Sequence, residues 1–291
     1  MLSILIPNYN NIVVPLVKEL NKQALSLGII YEIIILDDCS EKFVKDNTQI
    51  NNFSNCIFFR NEKNLGRTKT REILAQKSKF DNLLFLDSDV FPKENNFIKN
   101  YINEINNFSI IIGGCCYSGI KVNKNKTLRL VYGINREQAS LHTRELNPYQ
   151  YVFSGNFLIK KDVFLSTNYK ENKNLYGLDI YFAYKLLKNK IVIKHIENEI
   201  IHYGLEENED FLLKSLSSVA NRKKLLKDYP EIINNNSLLK HYNFLKKYKL
   251  CLLFSFFFRL TNSLLKKNIL GPKPSLFLFD IYRLGYICSI D

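Results

Sequence analysis

No C-x-x-C pair occurs in this chain, and its cysteines are not spaced like a zinc ligand set. All six, Cys39, Cys56, Cys115, Cys116, Cys251 and Cys288, lie in or beside apolar runs. That placement argues for reduced core thiols and against a disulfide framework or a structural zinc site. A long apolar run is also lacking: the late cluster at residues 250–258 is nine residues long, where a membrane-spanning helix needs about 20. No basic, apolar leader opens the chain, which begins MLSILIPNYN and passes at once into a strand-like run, so a cytoplasmic protein is expected. Internal repeats are missing as well. Acidic residues are scarce, 28 Asp and Glu against 41 Lys and Arg, for a formal charge of +13. Such an excess favours anionic partners, whether nucleic acid, phospholipid headgroups or a phosphorylated substrate, although part of it can be simple solvated surface.

What is present fits a globular chain. With 291 residues, 46% hydrophobic and 24% charged, the sequence supports one large domain, or one domain plus a helical appendage. Short β-rich apolar runs at residues 2–6, 31–36, 56–59, 83–86 and 110–116 alternate with segments of helical period at 13–27 and 68–77. Strands in alternation with helices predict an α/β fold, with a mainly parallel sheet covered by helices and ligands at the carboxyl ends of the strands. Residues 152–159 and 191–193 read as further strands flanking a helix at 179–187. After Gly204 the pattern is helical, at 207–226 and 238–267, with Asp228 and Pro230 marking the break.

Polar clusters follow the strands. Pro7, Asn8, Tyr9 and Asn10 come after the first, Asp37 and Asp38 end the second, residues 64–67 follow the third, and Asp87, Ser88 and Asp89 end the fourth. Four clusters so placed would converge on one crevice. In LLFLDSD (83–89) an apolar strand delivers two carboxylates one residue apart. Hard oxygen ligands of this kind suit Mg²⁺ or Mn²⁺, with a substrate diphosphate completing the shell. A lone D-x-D is weak by itself, because acids often only cap loops, and Asp37 and Asp38 have the same plain alternative.

Taken together, these motifs resemble the family-two glycosyltransferases with the GT-A fold. The resemblance rests on SILIPNYN (3–10), LDDCS (36–40), NLGRTKTR (64–71) and DSD (87–89), in that order, and more loosely on SGNF (154–157) and YGLDIYFAYKL (176–186). It covers roughly residues 1–210. It implies a Rossmann-like, mixed but mainly parallel sheet, with a catalytic domain at 1–205 divided into a nucleotide-sugar half (1–118) and an acceptor half (119–205). A helical extension then fills 206–291. It also implies that Pro7, Tyr9 and Asp38 surround the base, with Asp38 accepting from a ring N–H, and that Arg71 and Arg67 sit near the nucleotide. Asn10, Asn64, Gly66 and Ser88 fall in the same nucleotide-sugar stretches. Asp87 would contact the ribose or the metal, and Asp89 would ligate the metal with His202 as a third ligand. Gly155, Asn156 and Gly177 would line the acceptor side. The galactosyltransferase-like branch has Glu before the Asp of its helix start; here Leu178 stands in that place, so the acceptor contact of that Glu is absent or supplied elsewhere.

Asp179 is the expected general base, since a sugar hydroxyl is a poor nucleophile until a carboxylate takes its proton; the plain alternative is a helix-start acid. His142 and His195 have no matching context and read as structural. The implied activity is an inverting, metal-dependent hexosyl- or N-acetylhexosaminyl-type transfer, with Mn²⁺ or Mg²⁺, from a UDP-sugar to a saccharide or lipid-linked acceptor in surface polysaccharide or lipopolysaccharide assembly. Two rivals stand beside it. A noncatalytic sugar-nucleotide binder is suggested by Leu178. A nucleic-acid binder is suggested by the charge and the Tyr and Phe content, but strand-end carboxylates would repel phosphate and no aromatic-basic platform motif is found, so no nucleic-acid partner is expected. Residues 246–283 interleave Lys and Arg with Leu, Phe and Tyr. They read either as a helical hairpin packed on the catalytic domain or as a basic amphipathic surface on the anionic inner face of the membrane.

Overall fold

The computed structural model describes residues 1–120, 122–170 and 175–290. Lys121, residues 171–174 and Asp291, which fall in the expected acceptor half and C-terminal extension, lie outside the described residues. The chain runs β1 (Leu2–Asn8), α1 (Val14–Ser26), β2 (Tyr31–Asp37), α2 (Val44–Thr48), β3 (Cys56–Arg60), α3 (Arg67–Lys77), β4 (Asn82–Leu86), β5 (Val90–Pro92), α4 (Phe97–Glu104), β6 (Ile110–Ile112) and β7 (Cys115–Cys116). It continues through α5 (Thr127–Tyr132), α6 (Leu141–Leu146), β8 (Asn156–Lys160), α7 (Lys161–Thr167), α8 (Asp179–Lys188), β9 (Ile193–His195), β10 (Ile200–His202), α9 (Asn208–Asp228), α10 (Ser237–Lys247), α11 (Cys251–Ile269) and α12 (Leu276–Ser289).

Two compact units result. The first, residues 1–118, 138–170 and 185–204, is built on a sheet of order β3-β2-β1-β4-β8-β6-β9, in which only β8 runs against its neighbours. This is the mixed, mainly parallel α/β sheet expected. Every residue of β1 and β2 is buried, as continuous apolar runs require when helices cover both faces. Glu32, a buried acid near the start of β2, is not left bare: it accepts from Ser3 Oγ and from the backbone N–H of Lys79, both at 2.6 Å.

The run at 110–116, expected as one strand, is two. Gly113 and Gly114 interrupt it, and the chain leaves β6 for β7 in a second sheet of order β5-β10-β7. A Cβ on Gly113 would lie 2.4 Å from the Asn198 carbonyl, and Gly114 has φ +82°, so only glycine allows the crossing. β10 pairs antiparallel with β5, setting His202 opposite Val90.

The second unit comprises residues 119–120, 122–137, 175–184 and 205–290. It therefore holds more than the C-terminal extension. Its core joins Leu128, Phe211, Leu212, Phe258, Ile269, Phe279 and Tyr282. Asn208 Oδ1 accepts from the Leu128 N–H at 2.9 Å, and Arg129 pairs with Glu137 at 2.9 Å. The helix expected over 238–267 is broken into α10 and α11, with Lys249 in the left-handed region at φ +58°.

All six cysteines are free thiols; Cys56, Cys115 and Cys116 are buried and the others half-buried. His195 is structural. It is 1% exposed, with Nε2 3.1 Å from the Pro148 carbonyl and Nδ1 3.4 Å from Arg144 Nη1. A guanidinium only donates, so Nδ1 must accept and the proton belongs on Nε2. Burial pushes the imidazole pKa down to about 4, with Arg144 acting in the same direction and the Pro148 bond against it. An unfolded histidine titrates near 6.5. Between these values the unfolded chain holds a proton that the folded one does not, so stability is complete above about pH 6.5 and declines toward pH 4, by up to roughly 3 kcal/mol. Urea midpoints should follow that course, and the decline should be shallower in His195→Gln.

Candidate active site

The two acidic loops sit at the carboxyl ends of β2 and β4, with the polar loop after β1 beside them, all within the first unit. Asp37 is fully buried and serves as a tie: it accepts from Ser40 N–H (2.9 Å), Ser40 Oγ (2.5 Å) and Asn8 Nδ2 (3.1 Å), with Arg60 Nε at 3.4 Å. Asp38 anchors a second loop. Its Oδ1 accepts from Asn61 Nδ2 and the Leu65 N–H, both at 2.9 Å, its Oδ2 from the Gly66 N–H at 2.8 Å, and its carbonyl from Asn64 Nδ2 at 3.1 Å. A carboxylate can accept about four hydrogen bonds. Three are committed to residues 61–66, so the base contact expected of Asp38 has about one lone pair left to use.

The expected base-site residues divide. Pro7 is buried inside β1, whereas Tyr9, just past the strand, is 50% exposed. Asn10 builds the loop rather than pointing at a ligand. At φ +54° its N–H donates to Ser40 Oγ (2.7 Å), and its Oδ1 accepts from the N–H groups of Glu41 (2.9 Å) and Lys42 (3.1 Å). Ser88 accepts from Asn11 Nδ2 at 3.2 Å, tying the D-x-D turn to the first loop.

Asp87 is held by two arginines one turn apart on α3. Arg71 Nη2 donates to Oδ1 at 2.6 Å and Arg67 Nη1 to Oδ2 at 3.2 Å. The same arginines reach Ser154: Arg67 Nη2 donates to its Oγ at 3.0 Å and Arg71 Nη2 to its carbonyl. Gly66, at φ +82° ahead of α3, lets the helix begin there. Gly155 closes the other side, since a Cβ there would stand 2.8 Å from Asp87 Oδ2.

Asp89 has a different environment. Its Oδ2 lies 3.9 Å from His202 Nε2, its carbonyl accepts from the Tyr203 N–H at 2.9 Å, and a Cβ on Gly204 would fall 1.7 Å from Oδ2. His202 is buried between the rings of Tyr117 (5.6 Å) and Phe153 (6.3 Å), and its Nδ1 has no hydrogen-bond partner among the described residues. The expected ligand trio of Asp87, Asp89 and His202 is thus not assembled. Among the described residues no three His, Cys, Asp or Glu side chains are grouped to hold a metal, and both oxygens of Asp87 accept from arginines. The Asp89–His202 pair by itself offers one carboxylate and one imidazole, a donor set that fits Mn²⁺ or Mg²⁺ when phosphate oxygens complete the shell.

Asn156, expected on the acceptor side, requires correction. It is fully buried, donates to the carbonyls of Gly114 and Asn198 at 2.8 Å each, and accepts from the Tyr101 hydroxyl at 2.7 Å. Its amide fastens the end of β8 to the small sheet. Sequence reasoning passed over Ser154 and Gly204 as individual site residues, although both stand within motifs read for other members, SGNF and IIHYG.

Asp179 and Gly177 belong to the second unit. Gly177 has φ +84°, and a Cβ there would meet Ser218 Oγ at 2.0 Å; Asn221 Nδ2 donates to the Tyr176 carbonyl at 3.0 Å. The turn is thereby seated on α9, Leu178 is buried, and Asp179 opens α8. The charge of Asp179 acts on Arg222, whose pKa is lowered first by burial and supported by Asp179.

The family model described as Glycosyl transferase family 2 matches residues 3–166, which is more than half of the chain and includes both acidic loops. The chain belongs to glycosyltransferase family 2. An uncharacterized glycosyltransferase of Haemophilus influenzae is 42% identical over 90 residues, 31% of this family 2 chain and 29% of that relative; the match therefore spans less than a third of either length. Among solved structures, TarS 1–349 of S. aureus in complex with UDP-GlcNAc superposes with a TM-score of 0.54 at 14% identity, covering 99% of this chain and 90% of that one. The mannosyltransferase PcManGT of Pyrobaculum calidifontis, in complex with GDP-Man and Mn²⁺, gives 0.56 at 9% identity, covering 99% and 85%. At such identities the likeness establishes the fold, which is GT-A.

Proposed function

We propose that this family 2 protein transfers a hexosyl or N-acetylhexosaminyl group, with inversion, from a nucleoside diphosphate sugar to an acceptor hydroxyl. The donor is a UDP-sugar, and the acceptor is a surface glycan or lipid-linked saccharide at the cytoplasmic face of the membrane. The observation that carries this reading is the division of labour in the D-x-D turn: Asp87 is locked by Arg67 and Arg71, while Asp89 is held beside His202 and against Gly204.

In this reading Asp89 and His202 hold a divalent cation, Mn²⁺ or Mg²⁺. When bound, that ion supplies positive charge for the departing diphosphate. The chain's own residues do the rest. Tyr9, the exposed ring past β1, stacks on the base, and Asp38 offers its remaining lone pair to a ring N–H. Arg67, near 46% exposed at the amino end of α3, faces the phosphates, and Asp87 fixes its direction. Asp179 takes the proton from the acceptor hydroxyl as the new bond forms, and one base is sufficient for a single inverting displacement.

A donor panel tests the proposal. Thermal shift with UDP-glucose, UDP-galactose, UDP-GlcNAc and GDP-mannose, each with Mn²⁺ or Mg²⁺, should single out a stabilising ligand, since binding to the folded state alone raises the melting temperature. The product from that donor should carry the opposite anomeric configuration. Binding without turnover on any saccharide acceptor would favour the noncatalytic binder, which the buried Leu178 suggests; no binding at all would reject both.

Gly204 supplies a sharper check. Any Cβ at that position displaces the Asp89 carboxylate, and a displacement near 1 Å at a reacting centre costs about 10²-fold in rate. Gly204→Ala should lower kcat by about that factor and raise the Mn²⁺ concentration needed for half-maximal rate. Unchanged kinetics would remove Asp89 from the site.

A further inference from the structure

We propose that α11 is a docking helix that lies on an anionic lipid surface. The inference deepens the peripheral location proposed above and rests on it, but it does not depend on the transfer chemistry. α11 has two apolar faces. One is packed within the second unit, where Phe258 meets Tyr282 at 5.0 Å between ring centroids and a Cβ on Gly285 would strike the Phe258 ring at 2.4 Å. The other carries Leu253, Phe256, Phe257, Leu260 and Leu264, at the i, i+3, i+4, i+7, i+11 spacing of a single helical stripe. These side chains are open to solvent, Leu260 at 66% and Leu264 at 72%. A stripe of this size, left uncovered, marks a partner.

Charge selects the partner. Residues 237–290 carry nine Lys and Arg and a single acid, Asp280. Lys246, Lys247 and Lys249 precede the stripe, while Lys266 and Lys267 close it, all exposed. A second copy of the chain would press two such cationic segments together, at a Coulomb cost that an apolar stripe does not need to bear against lipid. An anionic headgroup layer neutralises the lysines while the Leu and Phe side chains enter the acyl boundary. No helix among the described residues is long and apolar enough to cross a membrane, so the helix lies in the interface plane.

Flotation of the full chain with vesicles, without sugar nucleotide, tests the surface. Binding is expected to vesicles of phosphatidylcholine mixed with phosphatidylglycerol, weakening with salt, and not to phosphatidylcholine alone. Phe256→Ser/Phe257→Ser should lower partitioning at least about ten-fold. Lys266→Gln/Lys267→Gln should lower it roughly 25-fold, at roughly five-fold per lysine, and flatten the salt dependence. All four positions are exposed, so the melting temperature should not move. Equal binding to both vesicle types, indifference to the phenylalanine pair, or a dimer broken by that pair without vesicle binding would each overturn the proposal. A chain that floats but does not turn over leaves α11 standing and counts against the transfer reading alone.

Discussion

Asp89→Asn should lower kcat for sugar transfer by about 10³-fold while leaving the melting temperature within the scatter of the wild type. The rate loss follows from the role proposed for the residue. A cation bound at a departing diphosphate contributes several kcal/mol of charge stabilisation, and about 4 kcal/mol corresponds to roughly 10³ in rate. The thermal result follows from the surroundings. Asp89 is 28% exposed, and its one ion-pair neighbour among the described residues is His202 at 3.9 Å. Its neighbour two residues earlier behaves in the opposite way. Asp87 and Arg71 are 13% and 7% exposed and bond at 2.6 Å, and breaking a buried pair from one side costs about 3 kcal/mol or more. Asp87→Asn should therefore lose stability along with activity. Steady-state rates at saturating donor, taken across a Mn²⁺ titration and set beside melting curves for both variants, separate the two carboxylates. Equal thermal losses would show that the D-x-D turn is a structural unit; full turnover in Asp89→Asn would end the metal reading.

That contrast between two acids of one motif was not visible in the sequence, and the reason is physical. A strand buried on both faces announces itself as an unbroken apolar run, so LLFL before Asp87 and IIIL before Asp37 located β4 and β2 and put the acids at their carboxyl ends. Which acid is spent on the scaffold depends on tertiary partners. Asp37 and Asp87 take arginines from other elements, Arg60 for the first and Arg67 and Arg71 for the second, and Asp38 is spent mostly on Asn61, Leu65 and Gly66, which leaves Asp89 the more open of the four acids. The approach of His202 to Asp89 depends on the register of β10 against β5, residues more than a hundred positions apart. Asn156 failed for the same reason: a polar residue in SGNF looks available until Gly114, Asn198 and Tyr101 are seen to use its amide. The split of 110–116 was missed for a different reason: the apolar run was read as one strand, although the adjacent glycines, with their capacity to turn the chain, carried the signal of a break. The grouping of residues 122–137 with the C-terminal helices rests on contacts such as Asn208 to Leu128, which no local pattern encodes.

Asp179→Asn should reduce transfer by 10²- to about 10⁴-fold, the usual contribution of a positioned general base, with donor affinity changed less than about two-fold. The substitution keeps the shape of the side chain and its place at the start of α8, where Gly177 and Asn221 seat the preceding turn on α9. What it removes is the negative charge, which the amino end of the helix and the Arg222 guanidinium both attract. A scaffold role and a catalytic role then make different forecasts. If Asp179 only supports the turn, Asn should be tolerated and Ala should lower the melting temperature and donor affinity together. If it takes the acceptor proton, Asn and Ala should be equally slow, donor binding by thermal shift should be intact in both, and the loss should appear in kcat with the acceptor saturating. The pH profile adds a readout that folding cannot imitate: the acidic limb of kcat, set by protonation of the base, should vanish from the residual activity of Asp179→Asn. Wild-type turnover in that variant would assign the proton transfer to another group, and the buried Leu178, where the related branch carries Glu, would then be the position at which to begin looking for how this chain differs.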